Sequence, residues 1–186
     1  LGGELPAAHL ALSLSYLPLG RHDEAMSAVR RCLDLSPSDA ECLMLYATLL
    51  VRVAGKPAEA LPYARAALEV NPYPPSYVVH QHGLVLWANR DLDGALNALN
   101  ESLRRAPGNL HARVTRLVTL AESGRIDDAR AALSAMRGTS PLLMTADTMS
   151  ALTFGPRAQP LIERRLHALE LIGWPSAAAP TNAAPR

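Results

Sequence analysis

Residues 76–107, SYVVHQHGLVLWANRDLDGALNALNESLRRAP, decide the fold because their pattern recurs along the chain. Gly83, Ala95 and Pro107 are its fixed points, and twelve positions separate each from the next. Two short helices joined by a turn at residues 89–93 fit between these points. The stretch therefore predicts a helical hairpin.

The second half of this hairpin occurs four times in the chain. Successive prolines of the pattern lie 35, 35 and 34 positions apart. A period near 34 residues with paired helices is typical of the tetratricopeptide repeat, so the chain resembles that family. The resemblance implies a right-handed helical solenoid in which each hairpin covers the next. The repeated pairs are Ala25 with Pro37, Ala60 with Pro72, Ala95 with Pro107 and Ala129 with Pro141.

The composition favours an all-α fold, since hydrophobic residues make up 49% of the 186 residues but aromatic residues only 4%. A sheet would need more aromatic residues. Near the C-terminus, Ile162, Leu166 and Leu169 recur at helical spacing, with Arg164 and Arg165 off that face, and predict a capping helix. The predicted divisions are an N-terminal remnant (1–5), four repeats (6–39, 40–75, 76–109 and 110–143), a C-terminal capping segment (144–175) and a disordered tail (176–186).

Charge and cysteine content exclude several classes of function. The formal net charge is +1, and without a clustered basic face this argues against nucleic-acid binding. No apolar run approaches the roughly 18 residues that a membrane span needs.

We expect Cys32 and Cys42 to be packed thiols, with a disulfide between neighbouring helices as the alternative. We place the chain in the cytoplasm, with the periplasm as the alternative.

A narrower resemblance concerns the second half of the chain. Residues 71–77 (NPYPPSY), Gly83 and a closing helix that ends in Gly-Trp-Pro at 173–175 are similar to the C-terminal repeat regions of bacterial signalling proteins. In those proteins the repeats follow a class III adenylate or guanylate cyclase domain or a winged-helix transcription-regulator domain. The resemblance implies the regulatory or assembly arm of a larger protein. Because the chain begins with Leu1 rather than methionine, we expect a fragment of one.

Two functions from other classes are open at this point. The chain could be a freestanding adaptor that binds a peptide or dimerises through its groove, or a non-catalytic lobe that presents substrates to an appended transferase. The sequence contains no phosphate loop, no nucleophile elbow and no histidine or cysteine cluster at metal-binding spacing. We therefore predict that these residues have no enzymatic activity, no cofactor and no metal.

The family resemblance also implies a concave groove lined by the first helix of each hairpin. Tyr77 and Trp87 could anchor a peptide there, since aromatic anchors dominate many interfaces, although Trp87 could equally pack inside the solenoid. Residues three or four positions apart share one helical face. The predicted groove residues are Glu41, Met44, Thr48 and Arg52 in the second repeat, Tyr77, His80, Leu84 and Trp87 in the third, and His111, Val114, Val118 and Glu122 in the fourth.

Two further expectations concern the chemistry of this groove. His80 and His111 would lie opposite each other on neighbouring helices, and such a pair could respond to pH near about 6.5. The chaperone-binding subclass of these repeats holds a C-terminal carboxylate with lysines, an arginine and asparagines, so chaperone tails are poor partners for this chain. The matching positions here are Leu10, Leu14, Leu45, Tyr77 and Gln81.

Overall fold

The computed structural model describes residues 5–139 and 154–174, and within these ranges all regular structure is helical. Short 3₁₀ turns at Leu17–Leu19 and Pro156–Ala158 accompany the α-helices. The predicted fold class, an all-α solenoid of helical hairpins with a closing helix, is confirmed. The described helices are α1 (Pro6–Tyr16), α2 (His22–Leu35), α3 (Ala40–Arg52), α4 (Pro57–Val70), α5 (Ser76–Ala88), α6 (Leu92–Arg105), α7 (Leu110–Glu122), α8 (Ile126–Thr139) and α9 (Gln159–Leu171).

Helices α1 to α8 pack as four consecutive pairs. The second helix of each pair also contacts the first helix of the next, and the first helices α3, α5 and α7 lie side by side. These pairs fall within the four predicted repeats, whose boundaries stay a prediction. The predicted tail, most of the predicted N-terminal remnant and residues 144–153 of the predicted capping segment lie outside the described residues.

Small residues allow the two helices of each hairpin to approach closely. The four repeated alanines, Ala25, Ala60, Ala95 and Ala129, are all fully buried. In the third hairpin, a Cβ atom at Gly83 would lie 2.9 Å from the Leu99 Cγ atom and 3.4 Å from the Ala95 carbonyl oxygen. The 34-residue pattern thus marks contact points between helices.

The turn within each hairpin also repeats. Gly20, Gly55 and Gly124 have φ values of 68°, 67° and 77° at the end of the turn after the first helix. Arg90 occupies the equivalent place in the third hairpin, with φ at 68°. A left-handed conformation costs a non-glycine residue roughly 1–2 kcal/mol, so the surrounding helices impose this turn on Arg90.

Cys32 in α2 and Cys42 in α3 form a disulfide, with Cα atoms 6.0 Å apart. The expectation of two packed thiols is therefore wrong. Both residues are buried because the second helix of one hairpin faces the first helix of the next. The disulfide links the first two hairpins covalently.

We expect Gly83→Ala to lower the free energy of unfolding by about 1 kcal/mol, because overpacking against Leu99 outweighs the gain in helix propensity. Urea denaturation followed by circular dichroism measures the change. Gly108→Ala is the matched control, since a Cβ atom at Gly108 meets no atom within 4 Å. Equal stability of Gly83→Ala and wild type would contradict this packing.

We expect replacement of Cys32 and Cys42 by alanine to lower the free energy of unfolding by about 2–3 kcal/mol, because the disulfide restricts the unfolded chain. Reduction of the wild type should have a similar effect and should leave the double variant unchanged. A thiol assay on the denatured, unreduced wild type should detect no free thiol. Detection of two thiols per chain would refute the bond.

Candidate functional site

The end of the described chain lies across the first helices of the hairpins. We call residues 154–174 the C-terminal segment. It begins beside the turns of the first two hairpins, where the Gly155 amide donates to the Arg52 carbonyl at 2.7 Å and Arg157 pairs with Asp23 at 2.7 Å. Helix α9 then packs against α7. The predicted groove is therefore partly covered by the chain itself.

The far end of the C-terminal segment is bound by α8. The guanidinium of Arg130 donates to the Leu171 carbonyl at 3.1 Å, and that of Arg137 donates to the Gly173 carbonyl at 2.7 Å. These cations satisfy carbonyl groups at the C-terminus of α9, which have no partner within the helix. The segment is thus held at both ends.

Trp87 anchors both the beginning and the middle of the C-terminal segment. Its ring is fully buried, with its centroid 6.3 Å from that of Phe154 and 4.2 Å from the guanidinium carbon of Arg164. The indole nitrogen donates to Glu122 at 3.0 Å, and Arg164 donates to the same carboxylate at 3.0 Å. Arg90 adds a weaker pair with Glu122 at 3.3 Å. The Glu122 carboxylate is therefore engaged by three neighbouring side chains of this chain.

A polar cavity of about 190 Å³ remains between the first helices and α9. Among its described lining residues none is acidic, whereas two are arginines and two are histidines. The cavity is consequently positive in character. Its lining residues are Thr48 and Arg52 from α3, Tyr77, His80, Gln81 and Leu84 from α5, Asn109, His111 and Thr115 from the start of α7, and Arg165 from α9.

Arg165 is the most unusual member of this cavity. Its side chain is 1% exposed, and its Nε and Nη1 atoms have no hydrogen-bond partner. Its guanidinium carbon lies 5.6 Å from the centre of the Phe154 ring. Burial lowers the pKa of Arg165 to about 10, and the charge of Arg52 acts in the same direction. The expectation that Arg165 lies off the buried face of its helix is wrong.

His80 and His111 stack in this cavity, with ring centroids 6.4 Å apart and an interplanar angle of 19°. Burial lowers the pKa of His80 to about 3, with further contributions from His111, Arg52 and Arg165. Burial likewise lowers the pKa of His111. A proton uptake by the folded pair near pH 6.5 is therefore not expected of His80, because desolvation and neighbouring cations disfavour its charged form, and the same causes lower the pKa of His111.

Tyr77 forms the exposed rim of the cavity. Its side chain is 45% exposed, and its hydroxyl donates to the Glu41 carboxylate on α3. Partial burial, together with this carboxylate, raises the pKa of Tyr77 to about 12. The hydroxyl stays protonated at neutral pH, so it serves as a hydrogen-bond donor.

Six of the twelve predicted groove residues line the cavity, and Glu41 lies at its rim. The sequence prediction missed four lining residues. Gln81 follows His80 directly, and Thr115 lies one helical turn after His111, so a wider helical face would have included them. No sequence signal pointed to Asn109 or Arg165. The remaining predicted residues are buried, and they are Met44, Trp87, Val114, Val118 and the largely covered Glu122.

The residues that the structure describes provide little evidence for a metal site or a membrane-spanning helix. Within 5–139 and 154–174, His, Cys, Asp and Glu side chains form no group of three that could hold a metal ion. Among the described helices, none combines the length and hydropathy that crossing a bilayer requires. A second cavity of about 390 Å³, mostly apolar, lies between α6, α7 and α8 and contains none of the predicted groove residues.

We expect the free energy of unfolding to fall as the pH decreases below about 6.5, since unfolded His80 binds a proton that the folded state excludes down to about pH 3. At pH 5.5 the loss should be about 1 kcal/mol. Urea denaturation between pH 7 and pH 5 measures it. His80→Gln should flatten this dependence, whereas His167→Gln, at an exposed position of α9, should not. Identical slopes for His80→Gln and wild type would exclude a buried neutral His80.

Comparison with known proteins identifies the repeated unit. Models of the tetratricopeptide repeat match residues 6–49 and 86–141, together more than half of the chain. No curated protein sequence matches. The match of the first model spans α1, α2 and most of α3, and that of the second runs from the end of α5 through α8.

Solved structures show the same fold at low sequence identity. PilW, a type IV pilus biogenesis factor, is 22% identical over 90% of this chain and 73% of its own, with a TM-score of 0.63. YrrB, a repeat protein with an unusual peptide-binding site, is 19% identical over 88% and 82%, with a TM-score of 0.55. The first repeat region of Spaghetti (RPAP3), bound to an HSP90 peptide, is 19% identical over 69% and 93%, with a TM-score of 0.50. The solenoid of this chain is therefore built from tetratricopeptide repeats.

Proposed function

We propose that this chain is a non-catalytic protein-interaction module whose concave face binds an extended segment of a partner protein. The tetratricopeptide fold generally serves protein–protein interaction, and this supports the proposal at the level of the class. The residues that would form the contact are those of the cavity and its rim. Of these, Tyr77 and His111 are exposed, so a partner can reach them.

One observation carries the proposal: the concave face already binds a stretch of polypeptide, the C-terminal segment. The contacts include an aromatic pair between Trp87 and Phe154, a main-chain hydrogen bond from Gly155, and the Arg164–Glu122 pair. These are the kinds of contact by which peptides bind to protein surfaces. The groove therefore has the chemistry to bind a peptide. The first helices of the hairpins, which contact the C-terminal segment, also form the floor of the uncovered part of the groove.

Two of the related structures support a peptide as the partner. YrrB is described as having an unusual peptide-binding site, and the Spaghetti repeats are bound to an HSP90 peptide. The identities of 19% limit this support to the fold. Because leucines or neutral polar residues occupy the chaperone-clamp positions of this chain, we propose a partner other than a chaperone tail.

The larger context of the module is a separate proposal. The resemblance of residues 71–77 and 173–175 to signalling proteins supports an arm of a larger bacterial protein such as a nucleotide cyclase. A freestanding adaptor, self-association and a lobe that presents substrates to a transferase are the alternatives. The size of the native polypeptide, measured by immunoblot of source cells, distinguishes an adaptor near 19.9 kDa from a much larger protein.

The compartment is also a proposal. The Cys32–Cys42 disulfide supports an oxidising location, since disulfides persist in the periplasm or outside the cell and are rare in the cytosol. We therefore favour the periplasmic alternative over the cytoplasm. Labelling of thiols in intact cells, before and after reduction, distinguishes the two compartments.

We expect Tyr77→Ala combined with His80→Ala to weaken partner binding at least about tenfold, because the change removes the exposed aromatic anchor and its neighbour from the cavity. A photo-crosslinking amino acid placed at position 77 of the otherwise unchanged chain identifies the bound segment, whose affinity is then measured with a synthetic peptide. Tyr73→Ala is the matched control, since Tyr73 is a 91% exposed tyrosine outside the groove. Unchanged affinity of a folded double variant would exclude the groove as the binding surface.

A further inference from the structure

The first helix of the solenoid exposes apolar side chains to solvent. Residues 5–20 contain no Asp, Glu, Lys or Arg, and the exposed Ser15 hydroxyl donates to the Ala11 carbonyl of the same helix at 2.8 Å. The exposed leucines of this stretch are Leu5, Leu12, Leu14 and Leu19. Exposed apolar surface that continues over neighbouring residues marks an interaction site.

One stripe of α1 is equivalent to a stripe of α3 that is covered by its neighbours. Residues three or four positions apart share a helical face, so we define the open face of α1 as Ala7, Leu10, Ala11 and Leu14. Leu10 is half-buried, and the other three are exposed. The equivalent residues of α3, 35 positions later in the chain, are Cys42, Leu45, Tyr46 and Leu49.

The equivalent stripe of α3 contacts the preceding hairpin. Cys42 is bonded to Cys32 of α2, and Leu45 and Leu49 belong to an apolar cluster that includes Val29 of the same α2 helix. The open face of α1 is therefore a stacking surface of the solenoid, of the same kind as the surface that joins the first two hairpins. Its matching partner is a helix with an apolar face.

The opposite end of the solenoid has a charged surface. The exposed charged residues of α8 are Asp127, Asp128, Arg130 and Arg137. Polar outer residues are typical of a terminal repeat that caps a solenoid. Burial of these residues against the leucines of α1 would remove the hydration of several charges, which is costly. The two ends of the solenoid therefore do not match, and head-to-tail stacking of two copies is disfavoured.

We propose that the open face of α1 binds the same face of a second copy of this chain, so that two solenoids form a two-fold symmetric dimer through their first hairpins. A two-fold axis pairs a surface with itself, and this surface has no charged side chain that would repel its copy. Alanine and leucine alternate along the open face. The leucines of one copy can thus pack over the alanines of the other.

This inference goes beyond the proposed function, because α1 contributes none of the described residues that line the cavity. The dimer would link two cavities, each between the first helices and α9 of its own copy. Two linked cavities bind two segments of one partner more tightly than a single cavity does. Loss of the dimer would leave peptide binding at each cavity in place, so the two proposals fail separately.

Sedimentation equilibrium of the full chain tests for the dimer. We expect a mass of twice the 19.9 kDa of one chain, with a concentration-dependent return to the monomer on dilution. A wild type that stays monomeric up to about 100 μM would overturn the proposal, because a specific interface should have a dissociation constant below that value.

We expect Leu14→Glu to weaken the dimer at least about tenfold, since it would bury a carboxylate of each copy against apolar side chains. The variant should still fold, because Leu14 is 48% exposed in the single chain, and circular dichroism checks this. Leu171→Glu is the matched control, because Leu171 is a 43% exposed leucine beside α8. Undiminished association of Leu14→Glu, or equal weakening by both variants, would overturn the interface.

A mixture of two charge variants tests the two-fold pairing. Leu14→Glu and Leu14→Lys should each be monomeric alone, whereas an equal mixture should associate, because the two-fold axis brings opposite charges into one interface. Sedimentation of the mixture measures this recovery. A mixture that stays monomeric would overturn the two-fold arrangement.

Neutral lipid vesicles distinguish a second copy from a membrane surface as the occupant of the open face. Vesicles of phosphatidylcholine should not bind the wild type, because the open face is covered in the dimer. Binding of a monomeric wild type to these vesicles, with loss of binding in Leu14→Glu, would overturn the dimer in favour of a lipid surface.

Discussion

The close approach of paired helices at a few small residues is the constraint on which the rest of this structure depends. Four buried alanines recur at the repeat period, one in the second helix of each hairpin. Gly83 faces Leu99 so closely that even a methyl group would collide. Because each hairpin buries its apolar surface only against the next one, this spacing also sets the distance between repeats.

Stacking of the hairpins brings their first helices together as one concave surface. That surface is only partly free, because the C-terminal segment lies across it and is fixed around Trp87 by Phe154 and Arg164. The result is a groove with two halves. One half is filled by the chain, and the other is a positive cavity open at Tyr77.

Two neighbouring arginines of α9 show how the environment decides the role of a charge. Arg164 donates to Glu122 and to the carbonyl groups that end α5, so its charge is compensated within the chain. Arg165 is buried beside the Phe154 ring, and its Nε and Nη1 atoms have no hydrogen-bond partner among the described residues. Arg164 is thus a structural cross-link, whereas Arg165 has buried polar atoms without a hydrogen-bond partner. A single helical step of about 100° separates the two directions.

The sequence by itself determined the hairpins, their number and their order, since a repeated period, prolines and turn glycines act locally. It also placed Thr48, Arg52, Tyr77, His80, Leu84 and His111 on faces that line one cavity. The local sequence did not, however, predict that Arg90 adopts the left-handed backbone conformation typical of glycine. The burial of Trp87 and Arg165, the neutrality of His80 and the Cys32–Cys42 bond were decided by tertiary structure alone. All of these features depend on contacts between segments that are far apart in the sequence. Helical periodicity carries no information about such long-range contacts.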